Sequence, residues 1–137
     1  EMLRSLVGSE MCIRDRAIGM SIADMSKKMN VKGVVALTGS GFTASFLSEG
    51  RLSVPIFACC PSKNICRDIK LYRGVCPFVV DFEATIDKNS LRQMDKFLKK
   101  TMCLEDGDMV VITGSVPELM VGGTNFIKIH KIGQLGE

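Results

Sequence analysis

Short apolar runs alternate with segments of helical periodicity along most of this chain, and this alternation limits the folds open to it. The apolar runs predict strands at 33–37, 54–58, 75–80, 109–113 and 125–132. Apolar residues at helical spacing predict a helix before the first strand and one in each of the next three intervals. Strands joined by helices need crossover connections, which give a mainly parallel sheet with helices on both faces. We therefore predict a three-layer α/β/α domain.

The third and fourth predicted helices have the clearest boundaries. Ser62 is a natural N-cap for the third helix, and Gly74 ends that segment. Its inner face is predicted to carry Ile65, Ile69 and Tyr72. The fourth helix is predicted to face inward through Leu91, Met94, Leu98 and Met102.

The last predicted strand differs from the others because no helix separates it from the strand before it. We expect it to run antiparallel at or near an edge of the sheet, where Lys128 and Lys131 suit a solvated position. His130, the only histidine in the chain, lies between these lysines in an alternating segment. This pattern predicts a surface histidine rather than a catalytic base or a metal ligand.

The segment after the first strand has the composition of a phosphate-binding loop. Residues 38–43 read Thr-Gly-Ser-Gly-Phe-Thr and precede a predicted helix. Glycines let the backbone N–H groups approach an anion closely, hydroxyls add donors, and the helix N-terminus adds a partial positive charge. The fourth strand ends in a similar loop at Thr113-Gly-Ser, so the two could hold a small phosphorylated molecule between them. A purely structural turn is the alternative.

Several enzyme classes are not supported by these loops. Residues 39–44 fit a dinucleotide fingerprint, but Cys59 and Cys60 occupy the place of its ribose-binding acid. A Walker loop needs a lysine after the glycine, and a receiver domain needs an aspartate at a strand end. Ser40 and Ser45 have only His130 as a potential base. We therefore predict no catalytic residues and no metal ligands in this chain.

The composition excludes further classes. A net charge of +3, scattered along 137 residues, does not indicate a nucleic-acid-binding surface. No apolar run approaches the ~20 residues of a membrane helix, and no signal peptide is recognisable. The six cysteines lack zinc-site spacing, which favours reduced, mostly buried thiols in a cytoplasmic protein.

The first sixteen residues look foreign to the rest of the chain. Residues 4–16 resemble a translated sequencing adapter, which would not have been selected to fold with the remainder. We therefore predict that residues 1–16 are artefactual and that the domain proper spans 17–137.

Four segments taken together resemble the C-terminal domain of pyruvate kinase. They are 35–44 (VALTGSGFTA), 55–58 (PIFA), 71–75 (LYRGV) with Pro77, and 107–114 (GDMVVITG) with 123–125 (GTN). The resemblance covers about Ala17 to Ile132. It implies a five-stranded α/β domain appended to a catalytic barrel and, in many members, an allosteric site for a sugar phosphate.

The resemblance also implies which residues hold the effector. They are Thr38, Gly39, Ser40, Gly41, Phe42 and Thr43 in the first loop, with Ser115, Gly123 and Thr124 in the second. Members that bind a bisphosphate often carry a lysine or arginine in these loops, and this chain has none there. Arg92 could reach the site from the fourth helix. A monophosphate, or no effector, is therefore expected.

The remaining implications concern the parent enzyme, which transfers phosphate from phosphoenolpyruvate to ADP. Its Mg²⁺, K⁺ and ADP/ATP sites lie in the barrel, so the isolated chain is expected to need no cofactor and to be inactive. The family also implies a homotetramer, for which the fifth strand is a possible contact. A stand-alone phosphate-binding module without catalytic activity is the alternative function, and an NAD-dependent oxidoreductase is a third hypothesis.

Overall fold

The computed structural model describes residues 2–38, 42–80, 88–114 and 126–133. The helices of this part are α1 (Met2–Lys28), α2 (Phe42–Glu49), α3 (Lys63–Ile69) and α4 (Lys88–Thr101). The strands are β1 (Val31–Leu37), β2 (Ile56–Cys60), β3 (Val75–Val79), β4 (Met109–Gly114) and β5 (Phe126–Lys131). The predicted elements are therefore all present, although α1 starts earlier and α3 ends earlier than predicted.

The five strands form one sheet in the order β3-β2-β1-β4-β5. The first four strands pair in parallel, whereas β5 pairs antiparallel to β4 at the edge. Lys128 and Lys131 are exposed on β5, as predicted for an edge strand. The mostly parallel sheet with an antiparallel last strand confirms the predicted fold class.

Side chains of successive strand residues point to opposite faces of the sheet, and each face has its own apolar core. Val34 and Ala36 of β1 pack in the first core, to which α1, α2 and α3 contribute Ile22, Leu47 and Ile69. Val35 of β1 packs in the second core, to which α4 contributes Leu91, Met94 and Leu98. Three helices thus cover one face and one helix covers the other, which gives the three layers.

Helix α3 shows where local sequence signals succeed and where they fail. The Ser62 hydroxyl accepts a hydrogen bond from the backbone N–H of Ile65 at 3.4 Å, so the predicted N-cap is confirmed. Gly74 adopts a φ of 74°, a left-handed conformation that glycine adopts without strain. The inward position predicted for Tyr72 is wrong. The helix already ends at Ile69, and Tyr72 is 38% exposed in the turn that follows.

Helix α1 runs continuously from Met2 to Lys28, across the boundary predicted at residues 16 and 17. Ile13 is 70% exposed, and Arg16 and Ala17 are also exposed. Among the side chains of α1 that the structure describes, Ile22 is fully buried. The assignment of 1–16 as a foreign segment stays a prediction.

Candidate anion site at the carboxyl ends of the strands

The two loops singled out in the sequence start side by side at one edge of the sheet. Strands β1 and β4 are parallel neighbours, and their last residues, Leu37 and Gly114, are paired. The chain moves from β1 to β2 on one side and later reaches β4 on the other. The carboxyl ends of β1 and β4 therefore form the topological switch point, where ligands bind in open α/β sheets.

A glycine is required where the second loop begins. A Cβ added to Gly114 would lie 2.7 Å from the carbonyl oxygen of Leu37, closer than real Cβ contacts allow. Thr113, one residue earlier, is completely buried and donates its hydroxyl hydrogen to the Phe126 carbonyl at 2.9 Å. These contacts hold the end of β4 tightly between β1 and β5.

The described residues of the first loop are its two ends. Thr38 is 2% exposed, and its backbone N–H donates to the Cys59 carbonyl at 3.0 Å. Thr43 is 4% exposed in the first turn of α2, which begins at Phe42. The two threonines therefore form the base of the loop. The predicted ligand residues Gly39, Ser40, Gly41, Ser115, Gly123 and Thr124 lie outside the described residues.

Arg92 approaches this edge from α4, on the other face of the sheet. Because β3 runs parallel to β1, α4 begins near the carboxyl edge and returns to the opposite edge, where β4 starts. Arg92 lies in the second turn of α4. Its Nε atom is buried without a hydrogen-bond partner among the described residues. A buried guanidinium nitrogen without a partner is costly, and because Nε is inaccessible, only the terminal nitrogens of Arg92 could contact a ligand.

Comparison with known proteins identifies the family. Residues 16–130 match the family model described as "Pyruvate kinase, alpha/beta domain". The chain belongs to the pyruvate kinase family. It is 37% identical over 117 residues to a pyruvate kinase of Staphylococcus epidermidis, and 35% identical to that of Staphylococcus saprophyticus. Each match covers 85% of this chain and 20% of the relative, so the chain spans about a fifth of these relatives.

Solved structures agree with this assignment. A pyruvate kinase from Cryptosporidium parvum superposes on 85% of this chain with a TM-score of 0.73 and 25% identity. The superposed part is 22% of that longer chain. The region shared with pyruvate kinases is the C-terminal α/β domain and not the catalytic barrel.

The end of β2 in this pyruvate kinase domain has no acid for the ribose of a dinucleotide. Cys59 and Cys60 occupy it and are 1% and 0% exposed. Burial raises the pKa of Cys59, and the neighbouring thiol Cys60 raises it further. Burial, followed by the side-chain hydrogen bond with Cys66, raises the pKa of Cys60 to about 12. Both thiols are therefore neutral at physiological pH, and neither is an activated nucleophile.

The predicted burial of the cysteines is confirmed for some of them. Cys59 and Cys60 are buried, Cys66 and Cys76 are half-buried, and Cys103 is exposed. In the part of the chain that the structure describes, no three His, Cys, Asp or Glu side chains are grouped so that they could hold a metal ion.

The surface position predicted for His130 is wrong. His130 is 1% exposed, and its Nε2 lies 2.8 Å from Oδ1 of Asp95, which is 5% exposed. Oδ2 of Asp95 accepts a second hydrogen bond, from the backbone N–H of Gly133 at 3.2 Å. The pair lies under α4, far along β5 from the carboxyl end of β4, because His130 is opposite Val110.

A sequence signal for this pair exists in the fourth helix. Asp95 follows Leu91 by four positions and precedes Leu98 by three, so it lies on the apolar face of α4. A carboxylate on such a face needs a buried partner. The chain has one histidine, and it lies on the strand face that α4 covers.

Proposed function

We propose that this chain is the regulatory and assembly domain of a pyruvate kinase and that it binds a phosphorylated effector at the first loop. The observation that carries the proposal is the pairing of Leu37 with Gly114. This pairing starts the loops 38–43 and 115–124 next to each other at the switch point of a doubly wound sheet. If residues 38–43 were only a structural turn, neither a second loop beside it nor a cation such as Arg92 near it would be needed.

The residues suggest how an effector phosphate would be held. The N–H groups of Gly39 and Gly41 and the hydroxyl of Ser40 would donate to it, since both flanking threonines are buried. The N-terminus of α2 would add the favourable end of its dipole. Arg92 would supply the cation that the loops lack. One guanidinium favours a sugar monophosphate over a bisphosphate.

The effector would act on chemistry performed in another part of the enzyme. In the complete protein we expect a barrel that transfers phosphate from phosphoenolpyruvate to ADP with Mg²⁺ and K⁺. Binding at the loop changes this activity only if the effector has different affinities for two states of the enzyme. We place the protein in the cytoplasm. No helix among the described residues is long and apolar enough to cross a membrane.

The surface of the domain suggests how copies would assemble into the proposed homotetramer. Strand β5 forms one edge of the sheet, and Ile129 on it is 43% exposed. A groove of about 320 Å³ separates α1 from α2, and its lining includes Met20, Ala23 and Phe46. Met20 is 68% exposed. An edge strand and an apolar groove are both surfaces that subunit contacts cover.

Ligand-dependent thermal unfolding of the 137-residue chain tests the effector site. A sugar monophosphate at ten times its Kd should add about 1.4 kcal/mol to the free energy of unfolding. For this chain length, that corresponds to an increase in Tm of about 5 °C. Ser40→Glu should lower the increase, because a carboxylate in the loop repels the phosphate. Thr101→Glu adds the same charge at the exposed end of α4 and should leave the increase intact.

Other outcomes would point elsewhere. An increase in Tm that is equally large in the unchanged chain and in Ser40→Glu would place the ligand outside the loop. An increase with NAD instead of sugar phosphates would support the oxidoreductase hypothesis. The coding sequence upstream of Ala17 distinguishes the remaining alternatives, because a barrel sequence there supports the pyruvate kinase domain and a start codon supports a stand-alone module.

A further inference from the structure

A small polar cavity lies at the opposite edge of the sheet from the effector loops. It has a volume of about 110 Å³ and is formed by the end of α2, the start of β2 and the turn before β3. Ile56 is the first residue of β2 and Gly74 immediately precedes β3, so the cavity lies at the amino ends of these parallel strands. It is therefore separate from the site at Leu37 and Gly114. Its volume has room for several water molecules or one small ion.

Two arginines from separate turns line this cavity. Arg51 follows α2, and Arg73 precedes β3. Within the described ranges, neither guanidinium has a carboxylate in ion-pair distance, since the ion pairs there join other residues. Neither guanidinium donates a hydrogen bond to another described residue. Two exposed arginines without a carboxylate partner among the described residues thus line one polar cavity, which favours an anion there.

Hydrogen bonds fix the backbone at both arginines. The Ser48 hydroxyl donates to the Arg73 carbonyl at 2.7 Å, which ties the end of α2 to the turn before β3. The N–H of Arg51 donates to the Ser48 carbonyl at 3.2 Å. The N–H of Ile56 donates to the Gly74 carbonyl at 2.9 Å. An anion bound here would thus meet a fixed backbone and would need to order only the two arginine side chains.

We propose that this cavity binds a phosphate dianion, either free or as the phosphoryl group of a small metabolite. Its charge matches the two guanidinium groups, and its four oxygens can accept hydrogen bonds from both planar forks at once. A single carboxylate would neutralise only one of the two arginines. The site is independent of the proposed effector loop, because it lies at the other edge of the sheet and shares no residue with it.

Calorimetric titration with inorganic phosphate tests the proposal, and the Ser40→Glu variant of the 137-residue chain removes any contribution from the loop. Phosphate should still bind to this variant. Arg51→Gln and Arg73→Gln should each weaken binding about tenfold, the loss expected for one charge-assisted interaction. Lys96→Gln removes an exposed charge on α4, across the sheet, and should leave the affinity within about twofold.

A glycine variant separates loss of binding from loss of folding. Arg51 has a φ of 48°, a left-handed conformation that is strained for arginine and free for glycine. Arg51→Gly should therefore keep or raise the Tm while phosphate binding weakens about tenfold. The proposal is overturned if the double variant of both arginines binds phosphate unchanged, if Lys96→Gln weakens binding equally, or if acetate binds as tightly as phosphate. If glucose 6-phosphate binds with the same affinity as phosphate, the ligand is a phosphorylated metabolite. If only phosphate binds, the ligand is the free ion.

Discussion

In the pair of Asp95 and His130, the burial of each side chain depends on its hydrogen bond to the other, 35 positions away in the sequence. Both side chains are nearly inaccessible, and the carboxylate has two donors, His130 and the Gly133 N–H. Burying a polar group without a partner costs more than a formed hydrogen bond contributes, so the pair is stable only as a unit. It joins α4 to the edge strand β5, which has no helix of its own in the described part of the chain.

Removal of the Asp95 side chain should strongly destabilise the domain. Asp95→Ala leaves the His130 ring and the Gly133 N–H without their acceptor, and we expect a loss of about 3 kcal/mol in the free energy of unfolding. Urea unfolding measures it. Asp108→Ala changes a carboxylate that accepts a hydrogen bond in an exposed turn, from the Glu105 N–H, and should cost less than about 1.5 kcal/mol. Equal losses in the two variants would contradict the role given to the buried pair.

At the scale of elements, the contact between β1 and β2 depends on a missing side chain. A Cβ on Gly33 would overlap the Phe57 ring and lie 3.1 Å from the Pro55 carbonyl oxygen. That carbonyl also accepts the hydrogen bond from the Val34 N–H at 3.0 Å, so it cannot move away freely. The sheet thus uses glycine at this position for close packing, not for a left-handed backbone conformation.

A methyl group at Gly33 should therefore disturb the centre of the sheet. We expect Gly33→Ala to lower the free energy of unfolding by about 1 to 3 kcal/mol through overpacking. Gly50→Ala is the matched control, because a Cβ there meets only the Leu47 carbonyl oxygen at 3.4 Å. Gly33→Ala should cost less free energy of unfolding when it is added to Phe57→Leu than when it is made in the unchanged chain, because the smaller side chain leaves room for the methyl group. Additive losses would show that the phenylalanine ring is not the obstacle.

At the scale of the whole molecule, the family match and the fold define the same unit. The match spans residues 16–130. The five-stranded sheet runs from Val31 to Lys131, and the two apolar cores lie on its two faces. The first part of α1 precedes that match, and Ile13 there is 70% exposed. Because the family match begins at residue 16, we expect stability to come almost entirely from the residues after Arg16.

Deletion of residues 1–16 tests this view. We expect the shortened chain to melt within about 2 °C of the full chain, which at this length is about 0.5 kcal/mol. The buried residue Ile22 and the half-buried Ile18 stay in place in the shortened α1. Differential scanning calorimetry of both chains measures the difference. A drop of more than about 5 °C would show that the segment belongs to the folded domain, against the prediction of a foreign origin.

The sequence alone was sufficient to predict the layers, the element order and the antiparallel last strand. These features follow from local signals: apolar runs, helical spacing, the N-cap at Ser62 and the absence of a helix before β5. Such signals act over a few residues, so they can be read without knowing what lies across the fold. The resemblance to pyruvate kinases was likewise carried by short segments.

Only the tertiary structure decided which distant residues meet. It placed Tyr72 beyond the end of α3, buried His130 against Asp95 across 35 positions, and brought Arg51 and Arg73 to one cavity. It also set the end of β1 beside the end of β4, so that the two candidate loops start from neighbouring strand ends. These outcomes depend on the order of strands and on which face each helix covers. No short segment encodes either property, because both result from packing the whole chain around one sheet.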